Sequence, residues 1–542
     1  MSAPTPPAAT AASETKTHRQ LLEALSGLLL VLFVAMLSST VVSTALPKII
    51  GALNGSQTQY TWVVTATLLT ATATTPIWGK LADLFNKKAL IQISIVIFVI
   101  GSAVAGAAQN AGELIAARAF QGIGVGGLQA LVQVAIAAMI PPRERGRYNG
   151  YLGGVMALAT VGGPLLGGLI VDTSWLGWRW CFYIGVPVAV VALVLLQMTL
   201  HLPTNRRDNV KIDYLGATLI AAGVSLLLIW ISFVDDTFAW LSWQTYAMVG
   251  GTIVLLALAV LVESRAAEPI IPLPIVRQRN TALAILASLA VGMAMFGGAV
   301  FLGQYFQIGR GYSPTEAGLL TIPLMAGVLV TSIVSGRLIT KTGRIKPYII
   351  AGSIVLVAGF AVLSTIDHQT ALWFVGIGMF LVGAGVGMSM QNLVLAVQNT
   401  VALRDIGAAS STVAFFRSLG GTIGVSVLGA VLARRVTDQI THDLAAAGVP
   451  ASGSGGGTSA LNLTALPEPI VHIIRAAYGD ATGHIFLISA FIGIIGIVAA
   501  VAMRPVMLRD SLDLPGEMKA AAVGADAVDG APAIDQVDTT RR

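Results

Sequence analysis

The chain has 542 residues, of which 55% are hydrophobic and only 11% are charged, and its mean hydropathy is +0.80. Soluble domains carry about 25% charged residues, so this composition excludes an ordinary soluble domain and predicts a chain largely surrounded by lipid. The single cysteine, Cys181, excludes an intramolecular disulfide and a cysteine metal cluster. We expect no cofactor and no metal.

Apolar stretches of about 20 residues occur fourteen times, and each is long enough to cross a bilayer as a helix. The sequence therefore predicts an all-α polytopic membrane protein. The expected spans are 24–46, 58–78, 89–108, 113–139, 147–171, 180–201, 213–233, 243–262, 281–306, 315–335, 347–365, 371–397, 407–433 and 484–503.

The basic residues predict how the chain is oriented. Seventeen Lys or Arg residues lie in one set of alternating loops, whereas the other set holds six. Basic loops stay in the cytoplasm, so we predict two cytoplasmic termini in a plasma membrane, the inner membrane of a bacterium. No basic run is dense enough to indicate nucleic-acid binding. The basic loops are 79–88, 143–147, 206–211, 265–279, 337–346 and 404–405.

A short charged turn occurs twice. Residues 79–90 read Gly-Lys-Leu-Ala-Asp-Leu-Phe-Asn-Lys-Lys-Ala-Leu, and residues 336–344 read Gly-Arg-Leu-Ile-Thr-Lys-Thr-Gly-Arg. A turn repeated between apolar stretches indicates a duplicated helical bundle, and transporters of this kind move by rocking one half against the other. The copies are 257 residues apart, about two helices more than a six-helix half requires. We therefore expect six helices, a two-helix insert and six more.

This layout gives the domain boundaries. We expect disordered cytoplasmic tails over 1–20 and 504–542. Between them lie an N-terminal six-helix bundle over 21–203, the insert with its flanking loops over 204–279, and a C-terminal six-helix bundle over 280–503. The C-terminal bundle contains an outer loop over 434–483, in which 470–478 are either a short surface helix or an ordered loop.

The charged turn supplies the gating candidates. Asp83 follows the end of a helix, where an anion can cap the positive N-terminus of a facing helix and release it when the halves separate. The alternative is that all the charges are topological anchors, which explains the lysines better than Asp83. The predicted gating residues are Gly79, Asp83, Lys87, Lys88, Gly336 and Arg344.

Two further motifs follow along the chain. Arg118 lies inside the fourth span, where an arginine usually faces the bundle interior or a cavity. We expect it to modulate a nearby proton site, with a snorkelling arginine as the alternative. Residues 162–168 read Gly-Gly-Pro-Leu-Leu-Gly-Gly, in which proline bends the helix and the glycines allow close packing. The predicted packing residues are Gly163, Pro164, Gly167 and Gly168.

Together these three motifs, on helices two to five, resemble the major facilitator superfamily, whose antiporters have the Gly-Pro-x-x-Gly-Gly motif. Fourteen spans and the segments at 178–184, 304–307, 310–313, 404–410 and 416–421 are similar to the fourteen-helix drug:proton antiporters of the QacA/EmrB type. The resemblance covers about 24–503. It implies a major facilitator fold of 6 + 2 + 6 helices and a monomeric exporter of lipophilic or amphiphilic molecules, driven by proton exchange.

Four positions depart from the family pattern. Asn86 replaces a turn glycine, which we expect to cost little because asparagine tolerates left-handed backbone, and Thr340 replaces an acid in the second copy. More importantly, Ser38 and Ser43 stand where relatives have Asp and Asn. That Asp is often assigned a role in proton or cation handling, and a serine cannot carry a proton at any accessible pH.

The missing acid has to be replaced if proton exchange persists. In our assignment no Asp or Glu falls in the middle of a span. Glu113, close to Arg118 in sequence, is the first choice, followed by Asp172 and Glu316. Each of these acids is alternatively an ordinary charge at the outer interface.

The same absence affects the expected substrate. A cavity lined by aromatic, methionine and amide side chains, with Arg417 adding positive charge, favours neutral, zwitterionic or anionic amphiphiles over cations. Most such methionines and aromatics are ordinary packing residues. The cavity candidates are Ser38, Trp62, Gln121, Gln129, Tyr305, Gln307, Gln391, Asn392 and Arg417, with Met295, Phe296 and Met388 as further aromatic or methionine positions.

The sequence therefore favours a secondary active exporter of the multidrug efflux type, which would confer antibiotic resistance. One alternative is an exporter of an endogenous lipid, pigment or antibiotic with weak or no proton coupling. A membrane enzyme would need inward-facing clusters of His or acids, which six scattered histidines do not supply. A transport-like receptor finds no support in the length of the tails.

Overall fold

The computed structural model describes residues 18–54, 57–173, 175–200, 202, 213–234, 238–266, 268–402, 405–446, 468–505 and 507–509. Within these residues the chain is almost entirely helical. The helices are α1 (His18–Ala52), α2 (Gln57–Leu84), α3 (Lys87–Ala107), α4 (Ala111–Met139), α5 (Pro142–Asp172), α6 (Trp180–Tyr183), α7 (Gly185–Thr199), α8 (Tyr214–Phe233), α9 (Trp243–Glu263), α10 (Leu273–Val276), α11 (Arg279–Gln304), α12 (Pro314–Leu320), α13 (Ile322–Thr342), α14 (Lys346–Leu363), α15 (Leu372–Gln398), α16 (Ile406–Ala446) and α17 (Glu468–Ala502).

Thirteen helical segments of the described chain are long and apolar enough to cross a membrane. The expected span at 58–78 is not among them, although it forms most of α2, because its many threonines lower its hydropathy. The helix accommodates them because their hydroxyls bond back to the preceding turn. Thr74 donates to the carbonyl of Thr70 and Thr75 to that of Ala71, both at 2.7 Å. The predicted polytopic helical fold is confirmed, and the count of fourteen stays a prediction.

The apolar side chains pack into several cores. Helices α1–α7 contribute two of them, around Leu131 and Leu46. Helices α11–α17 contribute most of the largest, around Met379 and Phe486. A fourth core joins α8 and α9 to Phe415 of α16. We call α1–α7 the N-terminal helices, α8 and α9 the central pair, and α11–α17 the C-terminal helices.

The long loop expected over 434–483 is much shorter in the structure. Helix α16 continues to Ala446 and α17 begins at Glu468, so the expected short helix over 470–478 is the start of α17. The two extensions contact each other, because Gln439 Nε2 donates to Asp480 Oδ2 at 3.2 Å. The remainder of the predicted loop and most of both predicted tails lie outside the described residues.

The turn after α2 is built differently from the expectation for Asn86. Its φ is −63°, so it is not left-handed. Instead, its side chain accepts hydrogen bonds from the backbone N–H groups of Lys88 and Ala89, at 2.9 and 3.3 Å. Asn86 is therefore the N-cap of α3. In the second copy Gly343 has a φ of +69° and ends α13.

Candidate functional site

The first part of the site lies at the end of the molecule that bears the turns at 85–86 and 343–345, which we call the charged-turn face. Here the buried carboxylate of Asp83 accepts two backbone hydrogen bonds from the first turn of α16. Oδ1 accepts from the N–H of Gly407 and Oδ2 from that of Ala408, both at 2.8 Å. A carboxylate at a helix N-terminus is stabilised by the unpaired N–H groups and the helix dipole. Asp83 thus ties the N-terminal to the C-terminal helices.

Glycines make this approach possible. A Cβ on Gly79 would overlap Ser411, and a Cβ on Gly407 would overlap the carbonyl of Gly79 and the carboxylate of Asp83. Helices α2 and α16 therefore meet at backbone distance beside the capping contact. We call this junction the α2–α16 seam.

Other basic residues of the turns hold local structure. Lys88 Nζ donates to the carbonyl of Gln197 at the end of α7, at 2.7 Å. The largely buried Lys80 pairs with Glu268, which follows α9, at 2.6 Å. Gly336 is buried and Arg344 is exposed in the second copy. The turn is thereby linked both to the N-terminal helices and to the central pair.

Arg145 is a site residue that the sequence counted only as part of a basic loop. It is 1% exposed, and its guanidinium donates to the carbonyls of Ala137 and Ile140, each at 2.6 Å. It also donates to Gln398 Oε1 of α15 at 3.0 Å, and Gln398 donates in turn to Ser410 Oγ at 2.8 Å. Arg145 therefore forms a second link between the N-terminal and C-terminal helices.

The segment after α17 covers the same face. The N–H of Leu508 donates to the carbonyl of Gly343 at 2.9 Å, and Arg509 Nη2 donates to the carbonyls of Gln398 and Val401 at 3.1 Å. The start of the tail predicted over 504–542 is thus packed against the C-terminal helices. These contacts could not be predicted from the sequence, because the composition of the tail, rich in Ala and Asp, is typical of a disordered segment.

The second part of the site is a buried polar network around Arg118. Its Nη1 donates to Gln121 Oε1 at 2.6 Å. Gln121 Nε2 donates to Ser102 Oγ at 2.6 Å and to Ser38 Oγ at 3.4 Å. Arg118 forms no ion pair within the described residues, and its Nε has no hydrogen-bond partner there. Ser38 is therefore connected to Arg118 through Gln121. It contributes a hydroxyl to this network and not a carboxylate.

The acids proposed as substitutes cap helices or lie outside the described side chains. The Glu113 carboxylate accepts from the N–H of Gln109 at 2.8 Å and from Asn110 Nδ2 at 2.7 Å, at the start of α4. Glu316 forms a capping box with Ser313 at the start of α12. The side chain of Asp172 is not described. The structure therefore joins Arg118 to Gln121 and not to Glu113.

The Gly-Pro motif of α5 lies between helices of both sets. A Cβ on Gly163 would overlap Thr40 of α1, whose hydroxyl donates to the carbonyl of Ala159 at 3.1 Å. On the side of the C-terminal helices, a Cβ on Gly318 of α12 would lie 2.7 Å from Pro164 Cβ. Helix α5 can approach α1 and α12 so closely only because small residues face them.

The third part is a cavity of about 50 Å³ between α5 of the N-terminal helices and α11, α13 and α15 of the C-terminal helices. Its wall includes Gln391, whose Oε1 accepts from Gln133 Nε2 of α4 at 2.7 Å. Ligand pockets usually measure about 300–1,000 Å³. A drug-sized molecule can therefore enter only when the two sets of helices separate.

Most other cavity candidates lie elsewhere. The Trp62 ring lies 4.7 Å from that of Phe233 on α8, with the two planes tilted by 30°. Tyr305 OH donates to the carbonyl of Asp367 at 2.7 Å, and Gln307 is exposed. Asn392 Nδ2 donates to Met388 within its own helix at 2.6 Å. Arg417 is buried and its Nη1 has no partner among the described residues. Of the predicted candidates, Gln391 and Met295 line the cavity.

Comparison with known proteins places this architecture in a family. The model of the Major Facilitator Superfamily matches residues 28–425. The chain therefore belongs to the Major Facilitator Superfamily, and it is a multi-pass membrane transporter and not an enzyme.

Individual relatives are similar over most of the chain. Multidrug transporter protein MdtP of Bacillus subtilis is 36% identical over 420 residues, which are 78% of this chain and 77% of MdtP. Multidrug resistance protein 3 of the same organism is 30% identical over 500 residues, 90% of this chain and 96% of that protein. The human organic anion transporter MFSD10 has the same fold, with a TM-score of 0.55 at 14% identity, covering 87% of this chain and 99% of MFSD10.

Proposed function

We propose that this transporter is a secondary active exporter of lipophilic small molecules that works by alternating access. The observation that supports this most directly is the α2–α16 seam, where Asp83 of α2 caps Gly407 and Ala408 of α16. The central cavity lies between helices of the same two sets. Separation of the sets at the seam would open a path from the charged-turn face to the cavity.

The strength of the capping contact suits a gate. A hydrogen bond to a charged group contributes about 1.5–3 kcal/mol, so two such bonds keep the seam closed at rest. Substrate binding or protonation of the carboxylate can offset a contribution of this size. In this proposal the charged-turn face is cytoplasmic, both termini are cytoplasmic, and the molecule works as a monomer of six, two and six helices in the plasma membrane.

Proton exchange is the proposed driving force, and Glu113 is the first choice for the proton carrier, ahead of Asp172 and Glu316. A second candidate function is export with weak or no proton coupling, for example of an endogenous lipid, pigment or antibiotic. It is favoured by Ser38, which puts a hydroxyl and not a carboxylate beside Gln121.

The test is dye transport in inverted membrane vesicles, with and without an imposed proton gradient. We expect a fluorescent lipophilic dye to accumulate, and the gradient to accelerate its accumulation. If the rate of accumulation does not change with the gradient, the proton-exchange proposal is wrong and the uncoupled alternative is favoured. If no lipophilic dye accumulates, the exporter proposal is contradicted.

The variant Glu113→Gln tests the choice of proton carrier. We expect it to abolish the effect of the gradient while dye binding persists, because a glutamine cannot exchange a proton. The matched control is Gln109→Ala, which removes a residue beside Glu113 without removing a titratable group. A gradient effect that survives Glu113→Gln would exclude this residue as the carrier.

A further inference from the structure

We infer that the substrate of this exporter is an uncharged aromatic molecule with a carbonyl oxygen, and that Gln391 donates the hydrogen bond that binds this oxygen. The inference rests on the proposed function, because it assigns a substrate class to the central cavity. It is drawn from the side chains that line the cavity and from the hydrogen bonds they already make.

Four methionines line the cavity, one from each of four helices. They are Met156 of α5, Met295 of α11, Met325 of α13 and Met390 of α15. Thioethers are polarizable and flexible, and they make favourable contacts with aromatic rings. A wall in which all four helices contribute a methionine favours a flat aromatic ligand and adapts to its outline.

Only a few polar side chains line the same wall, and the hydrogen bonds that each can still form can be counted. Thr160 Oγ1 donates to the carbonyl of Met156 at 2.8 Å, and Ser332 Oγ donates to that of Gly387 at 3.0 Å. Both hydroxyls therefore have their donor engaged. Gln391 differs, because its Oε1 accepts from Gln133 and its Nε2 donates to none of the described residues. The amide N–H₂ of Gln391 remains as a donor for a ligand acceptor.

Electrostatics disfavours a cationic ligand. The described cavity wall contains no charged residue, so a cation entering it would lose its hydration without gaining a counter-charge. The spans also bury two arginines, Arg118 and Arg417, that form no ion pair within the described part of the chain. Neither of them lines the cavity, and their positive charge supplies no counter-charge to a cation. A neutral ligand avoids the cost of lost hydration.

Nile red and Nile blue test this inference, because they share one ring system and differ at a single position. Nile red has a carbonyl there and is uncharged, whereas Nile blue has an iminium and is cationic. In vesicles containing the full chain we expect Nile red to be transported at least about tenfold faster than Nile blue. A tenfold ratio corresponds to about 1.4 kcal/mol.

Two substitutions connect the preference to Gln391. We expect Gln391→Glu to shift the ratio toward Nile blue by about tenfold or more, because it supplies the missing negative charge. Gln391→Met should slow Nile red without accelerating Nile blue, because it removes only the donor. The matched control is Gln92→Glu, the same change on α3 where Gln92 contacts Gln197, and it should leave the ratio unchanged.

The outcomes separate this inference from the exporter proposal. Equal transport of both dyes, faster transport of Nile blue, or a ratio unaffected by both Gln391 variants would overturn the inference and leave the exporter proposal standing. Transport of neither dye, with transport of an anionic lipophilic dye, would also overturn it, and would assign the buried arginines to substrate binding. If no dye of any charge is transported by folded protein, both proposals fail.

Discussion

Ser38 determines which chemistry is available beside Arg118. Its hydroxyl accepts from Gln121 at 3.4 Å, and Gln121 accepts from Arg118 at 2.6 Å. A hydroxyl at this place neither titrates nor neutralises a guanidinium. The network is therefore a fixed set of hydrogen bonds with one unbalanced positive charge.

Replacing Ser38 by Asp should introduce a titratable group into this network. We expect Ser38→Asp to raise the number of protons moved per dye molecule by up to about one, because it adds a single titratable carboxylate to the network that joins Gln121 to Arg118. Internal pH, followed with a trapped pH-sensitive dye in proteoliposomes, measures this directly.

Ser43→Asp is the matched control, since Ser43 lies on the same helix and is exposed. It should leave the stoichiometry unchanged. A Ser38→Asp protein that folds and moves no additional protons would show that a carboxylate at this position is not sufficient for coupling.

Asp367 illustrates a charge that stabilises a loop. Its carboxylate accepts from Thr370 Oγ1 at 2.7 Å and from the N–H of Gln369 at 2.8 Å. The side-chain hydrogen bond from Thr370 holds the pKa of Asp367 below its usual value. This carboxylate therefore stays ionised at neutral pH and stabilises the turn between α14 and α15.

At the scale of elements, glycines allow particular helices to pack closely. A Cβ on Gly163 would overlap Thr40, whereas a Cβ on the neighbouring Gly162 would lie 3.6 Å from Leu37 Cδ1, an ordinary contact. The two positions are adjacent in sequence and face different surroundings. Alanine substitutions at these two positions therefore distinguish the effect of helix packing on stability from the effect of helix propensity.

We expect Gly163→Ala to destabilise the protein by about 1–3 kcal/mol, the usual cost of overpacking. Gly162→Ala should leave stability unchanged or raise it by up to about 1 kcal/mol, because alanine favours the helix. Thermal unfolding in detergent compares the two variants. Equal melting temperatures would contradict the close contact of α5 with α1.

The helices themselves could largely be predicted from the sequence, since each apolar stretch identifies one of them. The lengths of α16 and α17 could not, because their outer turns are polar and pair with each other, as Gln439 does with Asp480. The sequence predicted a capping role for Asp83 but placed it after a helix end, whereas it lies in the last turn of α2. Its partner Gly407 is 324 residues away, and the links of Arg145 to Gln398 and of Ser38 to Gln121 span 253 and 83 residues. Such contacts depend on how the helices are arranged.

At the scale of the whole molecule, the proposed cycle couples the cavity and the seam in one motion. The cavity of about 50 Å³ admits no drug-sized ligand, and the links of Asp83 and Arg145 join the N-terminal and C-terminal helices at the charged-turn face. In the proposed cycle these links break when that face opens, and the opposite face closes at the same time. Alternating access requires the two faces to move reciprocally.

Electron–electron distance measurements between spin labels test this motion most directly. Replacing the buried single cysteine by Cys181→Ser provides a cysteine-free background. One label pair at Phe85 and Lys341 reports on the charged-turn face, and a second pair at Trp175 and Trp373 reports on the opposite face. Phe85, Trp175 and Trp373 are 42%, 80% and 69% exposed, so labels there disturb little packing.

We predict that Asp83→Asn lengthens the Phe85–Lys341 distance and shortens the Trp175–Trp373 distance, because loss of the charged cap opens the α2–α16 seam. Thr340→Ala, at the corresponding position of the second turn, should change neither distance, since it removes a hydroxyl that donates to Gly336 of the same helix and removes no charge. A gate operated by Asp83 would be contradicted if both label distances stay unchanged in Asp83→Asn, or if both lengthen.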